Sequence, residues 1–444
     1  MVDFLIIGSG LAGAAIAIQL LENGINPKKI VIVGPTNVGY GNAYECDHNE
    51  YRLNVRSETM WINPKNKFEF SKWAKLNIKD PKAYHSAGHF YKRNDFAKFV
   101  NSKLDKYLKN KELLHHKNIV KRIHRDEFGS WVSCLSNNKK ILSKNIILAT
   151  GNPIPNWPCL IEESILKKNK NLYENPWNGK WIDDTQGREK ILLIGSGLSA
   201  LDCLSVLKSK GHKGHITIVS KSGKFPPVQA NWQRRKHPKW PGSINNSLLP
   251  SKMINFFKNY LPKKKYSSSE WQSSWEELRQ DLNPNWDRIS DKDKIKLKRK
   301  LYSIWSRLRY RASPQSIKAK DYFLKKGQLT IHSGFAEKII VNNELLTLKL
   351  LDGSTLSSDK IINCSGKGRD MLFDQIIKDK MGMADIFNET LKIDKNFKVL
   401  PVKGKDNKGL FLIGPTLISS KGDIVAASKI SLQAIDLART LLNQ

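Results

Sequence analysis

The sequence predicts an α/β protein, and two observations lead to that fold class. A short apolar strand, a glycine-rich loop and a helix follow one another at the start of the chain, and the same succession recurs from Lys190. The strands are continuous apolar runs, which is typical of parallel sheets covered by helices on both faces. We therefore expect two doubly wound units, with a helical insertion in the tryptophan-rich stretch at 225–325.

The first unit opens with a strand at 3–7, passes through a GxGxxG loop into a helix at 14–22, and ends in a strand at 29–33. In this setting the first glycine permits a tight turn, the second admits a pyrophosphate to the backbone, and the third lets helix and strand pack closely. The helix N-terminus adds N–H donors and a positive dipole end. The predicted dinucleotide ligands are Gly8, Ser9, Gly10, Leu11, Ala12 and Gly13.

The end of the second strand departs from the usual pattern. An acidic residue commonly binds a ribose hydroxyl there, whereas Gly34 and Pro35 occupy the position in this chain. We expect the ribose contact to come from Thr36, from Asn37 or from backbone atoms.

The second unit has a strand at 190–194, a loop, a helix at 201–209 and a strand at 215–219. Ala200 replaces the third glycine, a variant common where the cofactor is NADP. Because Lys221 follows the strand in place of an acid, we expect it to attract a 2′-phosphate and the site to prefer NADPH. The alternative is that this lysine is simply one of many. The predicted ligands are Gly195, Ser196, Gly197, Leu198, Ser199, Ser220 and Lys221.

Two further apolar strands, at 145–149 and 361–364, each end in a polar residue followed by glycine. Links of this kind join a flavin domain to a nicotinamide domain, and Asp352-Gly353 signals a hairpin before the second link. The predicted architecture is two Rossmann-like dinucleotide-binding domains with a helical insertion. We expect the FAD-binding domain at 1–160 and 330–444 and the NADPH-binding domain at 170–330, with the insertion at 225–325.

Several segments outside the glycine loops resemble one family. They are 39–44, 52–56 with Met60, 91–96, 173–177, 302–314 and Gly414-Pro415. On these segments the chain resembles the bacterial FAD/NAD(P)-binding flavoproteins, and more distantly it is similar to NADPH-dependent flavin monooxygenases, including the amine N-hydroxylases. Where family members often carry Trp-Glu, Gly422-Asp423-Ile424 stands here. The Baeyer–Villiger fingerprint FxGxxxHxxxWP is absent.

The resemblance implies roles for individual residues. Asn54 would hydrogen-bond the flavin or its hydroperoxide, and Arg56 and Arg93 would contact phosphate or the nicotinamide ribose. The alternatives are a turn asparagine and solvated arginines. Further implied cofactor contacts are Val55, Thr150, Gly151, Gly414 and Ile424. Val120, at the end of the strand-like run 118–120, would contact the adenine through its backbone amide.

The resemblance also implies an activity. NADPH would reduce FAD, molecular oxygen would form a flavin hydroperoxide, and a small molecule would be oxidised, with amine N-hydroxylation favoured. The cofactor carries such chemistry, so no nucleophile or triad is needed, and none is found. One alternative is an NAD(P)H-dependent flavin reductase or oxidase without oxygen insertion. The other is an RNA-binding or RNA-modifying flavoprotein.

Charge and cysteine content narrow the class of protein. The 444 residues carry a formal charge of +34 from 75 basic and 41 acidic residues. Because 59 of the basic residues are Lys and only 16 are Arg, which dominates base and phosphate recognition, we attribute the excess mainly to codon bias, with a functional basic surface as the alternative. Five scattered cysteines without a CxxC pair argue against a dithiol centre or zinc ribbon. With no signal peptide, span or metal motif, we expect a soluble, cytoplasmic protein of open oligomeric state.

The stretch at 225–325 holds half of the 12 tryptophans, and its basic part, 291–311, has helical character. Three interpretations remain open. The stretch is a lid whose Arg307, Arg309 and Arg311 grip an acidic substrate, or a packing element with a tryptophan core, or a nucleic-acid surface with interleaved aromatics. If the segment is helical, arginines at steps of two cannot all share one face.

Overall fold

A computed structural model describes residues 1–232, 266–342, 344–404 and 406–443. Its helices, α1 to α14 in chain order, are Leu11–Glu22, Gly41–Tyr44, Glu69–Asn77, Arg93–Ser102, Asp105–Lys109, Glu163–Lys168, Lys180–Asp184, Leu198–Ser209, Ser269–Asn285, Asp291–Arg309, Pro314–Lys325, Met371–Lys378, Ile418–Lys421 and Ala427–Leu442. Its strands, β1 to β18, are Val2–Ile7, Ile30–Val33, Tyr84–His85, Gly88–His89, Leu114–His116, Val120–Arg125, Trp131–Leu135, Lys140–Leu148, Leu160–Ile161, Leu172–Tyr173, Ile191–Ile194, Ile216–Ser220, Leu329–Ser333, Ala336–Asn342, Leu345–Leu350, Thr355–Ser358, Lys360–Asn363 and Leu410–Leu412.

The first domain is built on a seven-stranded sheet. Its strand order is β5-β2-β1-β8-β7-β6, with β18 paired to β8. Strands β5, β2, β1, β8 and β18 run parallel to one another, whereas β7 pairs antiparallel with both β8 and β6 at one edge. Helices α1 and α14 pack together on this sheet, so both ends of the chain contribute to one core. The α/β class and the first βαβ unit are therefore confirmed.

The second domain is built on a five-stranded, wholly parallel sheet in the order β10-β17-β11-β12-β13. A four-stranded sheet, β16-β15-β14-β9, lies beside it, and its β15–β16 hairpin turns at the predicted Asp352-Gly353. The predicted return to the FAD domain at 330 is corrected by these pairings. Because β13 to β17 all belong to the second domain's sheets, the chain returns only after Gly366.

Alternation along β11 explains how this second domain buries its sheet. Ile191 and Leu193 face one cluster with α8 and α11, while Leu192 and Ile194 face a second cluster with β14 and β15. Successive side chains of a strand point to opposite faces, so a fully apolar strand requires cover on both. One helical layer and one β layer supply it.

The described part of the insertion contains helices, and α10 runs from Asp291 to Arg309 within the stretch 291–311 that was predicted to have helical character. Trp271, Trp275 and Trp286 are buried in a cluster of their own with leucines of α10. The Trp286 indole N–H donates to Ser419 O at 2.8 Å, which ties the insertion to the first domain. Within the described residues these tryptophans form the core that the second interpretation expects. The lid and the nucleic-acid surface stay untested predictions. Trp240 lies outside the described residues.

None of the helices that the structure describes has the length and apolar character needed to cross a bilayer.

Candidate functional site

One large cavity, with a volume of about 810 Å³, lies where the two domains and the insertion meet. The first glycine loop, the segment after α2, the second glycine loop and the insertion all contribute to its wall. Of the predicted site residues, those that line it are Gly8, Ser9, Gly10, Leu11, Ala12, Thr36, Asn54, Val55, Arg56, Arg93, Thr150, Gly151, Leu198 and Ser199. Most of the predicted flavin site is thus gathered in one place.

The first glycine loop has the backbone shape that a dinucleotide requires. Gly8 has φ +122°, and a Cβ there would lie 2.1 Å from Ala149 O, so only glycine fits between β1 and β8. A Cβ on Gly13 would lie 1.9 Å from Gly8 O, so Gly13 lies inside the fold and not on the cavity. Gly10 differs, because its Cβ position is unobstructed within 3.5 Å and it opens on the cavity at the start of α1. Bare backbone at a helix N-terminus beside a cavity fits the pyrophosphate of FAD.

The second glycine loop repeats this geometry. Gly195 has φ +117°, and a Cβ there would lie 2.3 Å from Cys364 O, just as Gly8 meets Ala149. Gly197 precedes α8 and has open space around its Cβ position. Leu198 and Ser199 reach the main cavity, whereas Gly195, Ser196 and Gly197 do not line it. The loop therefore presents its helix start towards the flavin site, as a nicotinamide-binding loop would.

The structure gives a physical reason for the missing acid at Gly34. A Cβ at this position would lie 2.4 Å from both N and Oγ of Ser9, so no side chain fits. The Ser9 and Thr36 hydroxyls are 3.0 Å apart, and Thr36 Oγ1 also accepts the Gly41 N–H at 2.9 Å. Thr36 lines the cavity but is only 5% exposed. Thr36 therefore stabilises the first glycine loop through Ser9 and Gly41, and it also lies where the ribose contact was predicted.

A similar hydroxyl pair supports the second loop. Ser196 Oγ donates to Lys224 O at 2.9 Å, so Ser220 Oγ, 2.7 Å away, is the donor between the two serines. With its single proton used, Ser220 has none to give a phosphate. Lys221 is exposed at the end of β12, with its ammonium 5.5 Å from the centre of the Phe335 ring. A 2′-phosphate contact by Lys221 stays a prediction, whereas Ser220 could only accept a hydrogen bond there.

Arg93 lies at the start of α4 and joins the two domains. Its Nη2 is 2.5 Å from Asp202 Oδ2 on α8, and its Nε donates to Arg52 O at 3.1 Å. Asp202 is 2% exposed. Burial raises the pKa of Asp202 to about 7, against the opposing effect of Arg93. Arg93 lines the cavity, yet its charge is engaged by this carboxylate, so its predicted phosphate or ribose contact stays a prediction.

The raised pKa of Asp202 predicts a pH-dependent stability. Between the usual pKa of 3.8 and about 7, the folded protein binds this proton and the unfolded chain does not. The stabilisation is therefore complete below 3.8 and is lost as pH rises towards 7, by up to ~1.4 kcal/mol per pH unit. We expect the unfolding temperature of the native protein, relative to that of Asp202→Asn, to fall from pH 5 to pH 7 and then level off.

The matched control is Asp183→Asn, an exposed carboxylate on α7. Its difference from the native protein should not change over the same range. If the Asp202→Asn difference is equally flat, Asp202 does not retain its proton in the folded protein.

The segment 52–56, in which the resemblance implies flavin and cofactor contacts, lies on the cavity wall. Asn54 Nδ2 donates to Arg311 O at 3.1 Å, which fastens the segment to the insertion. The Arg56 guanidinium lies 5.2 Å from the centre of the Trp232 ring, and both residues line the cavity. Asn54 is therefore more than a local turn residue, and Arg56 faces the cavity and not bulk solvent alone.

The C-terminal contacts lie near their predicted places. Pro415 and the start of α14, at Ala427 and Ser428, line the cavity. Gly414 and Ile424 lie just behind this wall, with the Gly414 N–H donating to Gln433 Oε1 at 2.9 Å. The N-terminus of α14 therefore opens on the same cavity as the first glycine loop, and the contacts of Gly414 and Ile424 with FAD stay predictions.

Val120 is the site residue whose predicted setting is wrong. We expected it to end a strand, but it begins β6, because Asn118 makes a turn between β5 and β6. Its side chain is buried in the first domain's core, and it does not line the cavity. An adenine contact through its backbone stays a prediction.

The insertion brings four charged side chains to the cavity wall, of which sequence reasoning considered Arg309 and Arg311 and missed Glu276 and Arg279. Asp423, which lies outside the insertion and does not line the cavity, pairs with two of them. This charge cluster consists of Glu276, Arg279, Arg309, Arg311 and Asp423, all at most 14% exposed. Arg279 pairs with both Glu276 and Asp423, Arg309 Nε is 2.7 Å from Asp423 Oδ2, and Arg311 Nη1 is 3.0 Å from Glu276 Oε1. Burial alone would raise the pKa of Asp423, but Arg309 and Arg279 hold it below its usual range.

The amino-acid sequence of the first domain matches the model of a protein family. The model of a family described as FAD-NAD(P)-binding matches residues 5–153. Curated protein sequences yield no match.

Solved structures match over the whole chain at low identity. Ornithine N-hydroxylase from Kutzneria sp. 744, solved with reduced FAD, NADP+ and L-ornithine, is 11% identical with a TM-score of 0.67 over 100% of this chain and 99% of that one. L-lysine 6-monooxygenase from Pseudomonas syringae is 14% identical with a TM-score of 0.66 over 100% and 99%. Bacillithiol disulfide reductase from Bacillus cereus is 14% identical with a TM-score of 0.55 over 100% and 99%.

These likenesses establish the fold. The predicted resemblance to FAD/NAD(P)-binding flavoproteins is confirmed: residues 5–153 match the FAD-NAD(P)-binding family model, and the whole chain shares the fold of these two-domain flavoproteins.

Proposed function

We propose that this protein is an FAD- and NADPH-dependent monooxygenase that acts on a small molecule, with an amine nitrogen as the favoured site of oxidation. The observation that carries the proposal is the single cavity of about 810 Å³ on which the first glycine loop, the start of α8 after the second glycine loop, and the insertion all open. A flavin, a hydride donor and a substrate must meet in one water-shielded space for such a reaction.

In this proposal different parts of the chain bind the flavin, bind NADPH and hold the two domains together. The first loop and the start of α14 hold the flavin, and Lys221 holds the 2′-phosphate of NADPH. When bound, FAD takes a hydride from NADPH and, once reduced, activates oxygen. The Arg93–Asp202 pair keeps α8, and with it the second loop, against the first domain. Trp232 and the Glu276, Arg279, Arg309 and Arg311 side chains line the part of the cavity wall that the insertion contributes.

The whole-chain neighbours support an oxygen-inserting reaction over a disulfide reduction. The two N-hydroxylating enzymes have TM-scores of 0.66 and 0.67, against 0.55 for the bacillithiol disulfide reductase. The sequence also lacks the CxxC pair of a dithiol centre. A flavin reductase without oxygen insertion is the second candidate, because the reductase fold spans the same length of chain.

The two candidates differ in their products. FAD-loaded protein is supplied with NADPH and air in the presence of ornithine, lysine, cadaverine and further primary amines. We expect at least one amine to yield a hydroxylamine in proportion to the NADPH consumed. NADPH consumption matched entirely by hydrogen peroxide, with every amine unchanged, would favour the reductase or oxidase.

The cofactor preference rests on Lys221. Replacing its positive charge by a negative one, Lys221→Glu, changes attraction of the 2′-phosphate into repulsion, a change on the order of 2 kcal/mol at an exposed site, so we expect the apparent KM for NADPH to rise about tenfold or more. The KM for NADH, which lacks that phosphate, should change little.

Lys213→Glu is the matched control, since it makes the same charge change at the opposite, exposed end of β12. It should leave the NADPH-to-NADH ratio unaltered. An unaltered ratio in Lys221→Glu as well would overturn the assignment of this lysine.

A further inference from the structure

A small hydrogen-bond network joins α9 of the insertion to the segment that follows β12. Its centre is the side-chain amide of Gln272, which is fully buried on α9. Gln272 Nε2 donates to Val228 O at 2.7 Å and to Tyr266 O at 3.1 Å. Gln272 Oε1 accepts the Ala230 N–H at 2.9 Å. Because backbone groups have fixed donor and acceptor roles, these three bonds decide which end of the Gln272 amide is the oxygen.

The orientation of Gln272 fixes that of a second amide, Gln229, which lines the cavity. Gln229 Nε2 donates to Gln272 Oε1 at 3.3 Å and to Ala230 O at 2.9 Å. Turned the other way, the Gln229 amide would bring its own oxygen against these two oxygens, so Nε2 must face them. The backbone is held as well, because the Gln229 N–H donates to Ala312 O at 2.8 Å. Gln229 therefore has one fixed orientation.

The remaining polar atom of the Gln229 side chain is an unused acceptor. Gln229 Oε1 accepts no hydrogen bond from any residue that the structure describes, and it is not sealed from water as the orphaned polar atoms of the fold are. Both protons of the amide are used inside the network. The polar side-chain atom that Gln229 can offer to a ligand in the cavity is therefore an acceptor and not a donor.

The charges around this acceptor favour a neutral ligand over a cation. The acceptor itself is the oxygen of an uncharged amide. The same part of the wall carries the three arginines of the charge cluster, whose two carboxylates leave the cluster a formal charge of +1. Positive surroundings favour the deprotonated form of an amine. Since an amine is oxidised through its nitrogen lone pair, which only the neutral form has, the site matches the form that can react.

We propose that Gln229 is a substrate-binding residue whose Oε1 accepts an N–H of the neutral amine to be oxidised. This inference rests on the proposed function and deepens it. The hydrogen bond uses an N–H of the amine and leaves the lone pair free, so it orients the reacting nitrogen without occupying it. Gln272 is a positioning residue, because it acts on the amine only through Gln229. A carboxylate in place of Gln229 would instead stabilise the protonated amine, which has no lone pair.

The test measures binding and needs no turnover. Oxidised, FAD-loaded protein is titrated by calorimetry at about pH 9, where part of each amine is neutral. The ligands are cadaverine, putrescine, lysine and a series of alkylamines, each paired with the same compound dimethylated at every nitrogen, which has no N–H in its neutral form. We expect the native protein to bind at least one primary amine more tightly than its dimethylated partner.

In Gln229→Leu, which has a similar size and no acceptor, this preference should fall about tenfold, the effect of losing one hydrogen bond. The bulk and basicity of each derivative are the same for both proteins, so the change in preference reports the acceptor. Gln229→Met, which is unbranched like glutamine, provides a second variant with the same expected loss. Circular dichroism verifies that each variant is folded.

Gln328→Leu is the matched control, because the Gln328 amide donates to Lys213 O at 2.7 Å and does not line the cavity. It should keep the native preference. Flavin content and anaerobic reduction by NADPH are measured in every variant, and hydroxylamine formation in the native protein, so that a failure of the proposed function is seen separately.

The proposal is wrong if the native protein prefers no primary amine, or if the preference survives in Gln229→Leu and Gln229→Met. It is equally wrong if these folded variants lose FAD or need more NADPH for half-maximal flavin reduction, since Gln229 would then serve a cofactor.

Discussion

Replacing Gly10 by glutamate is expected to yield a folded protein that retains essentially no FAD. Gly10 precedes α1 with φ −75°, a conformation open to any residue, and its Cβ position has no neighbour closer than 3.5 Å. The fold therefore tolerates a side chain there. A glutamate would, however, extend into the cavity and put a carboxylate at the helix N-terminus that the FAD pyrophosphate needs.

The measurement is the flavin absorbance per mole of purified protein, together with circular dichroism to verify folding. Gly10→Ala is the control and should keep most of its flavin, because a methyl group fills little of the cavity and adds no charge. Gly13 offers no such test, since a Cβ 1.9 Å from Gly8 O disturbs the fold itself. A fully flavin-loaded Gly10→Glu would contradict the placement of FAD at this loop.

The same substitution in the second loop is expected to separate the two cofactors. Gly197→Glu also meets open space and puts a carboxylate at the N-terminus of α8. We expect this variant to retain FAD, because the first loop is untouched. Like charges in contact cost several kcal/mol, so the NADPH concentration that gives half-maximal flavin reduction should rise about 100-fold or more.

The protein is mixed anaerobically with NADPH, and the loss of the oxidised flavin band at about 450 nm measures this effect directly. Gly197→Ala is the charge-free control and should be reduced at nearly the native concentration. Reduction of Gly197→Glu at that same concentration would mean that NADPH does not use the second loop.

Local sequence predicted the two loops well because their chemistry is local. The turn at Gly8, the close packing at Gly13 and the strand–loop–helix order each follow from residues that are neighbours in sequence. The absence of an acid at Gly34 could be seen in the sequence, but its reason, the Ser9 backbone 2.4 Å away, could not.

The sequence alone did not predict which charged residues pair when they are far apart in the chain. Arg93 meets Asp202, 109 positions away, and Arg309 meets Asp423, 114 positions away. An acid at 202 within the apolar helix LSALDCLSVL does signal a buried partner, but does not say which. The domain boundary failed for a similar reason, since the membership of β13 to β17 depends on pairings with strands far away in sequence. The helical character of 291–311 could be recognised from the sequence, whereas the faces that the arginines of α10 present depend on how the insertion packs.

The reaction of the reduced protein with oxygen tests the central claim most directly. FAD-loaded protein is reduced anaerobically with NADPH and mixed with oxygenated buffer in a stopped-flow spectrophotometer, with and without the amines that stimulate NADPH consumption. The account predicts a spectrally distinct transient that precedes the return of the oxidised flavin spectrum. A direct, single-step return to oxidised flavin in every mixture would contradict a monooxygenase and leave a reductase or oxidase.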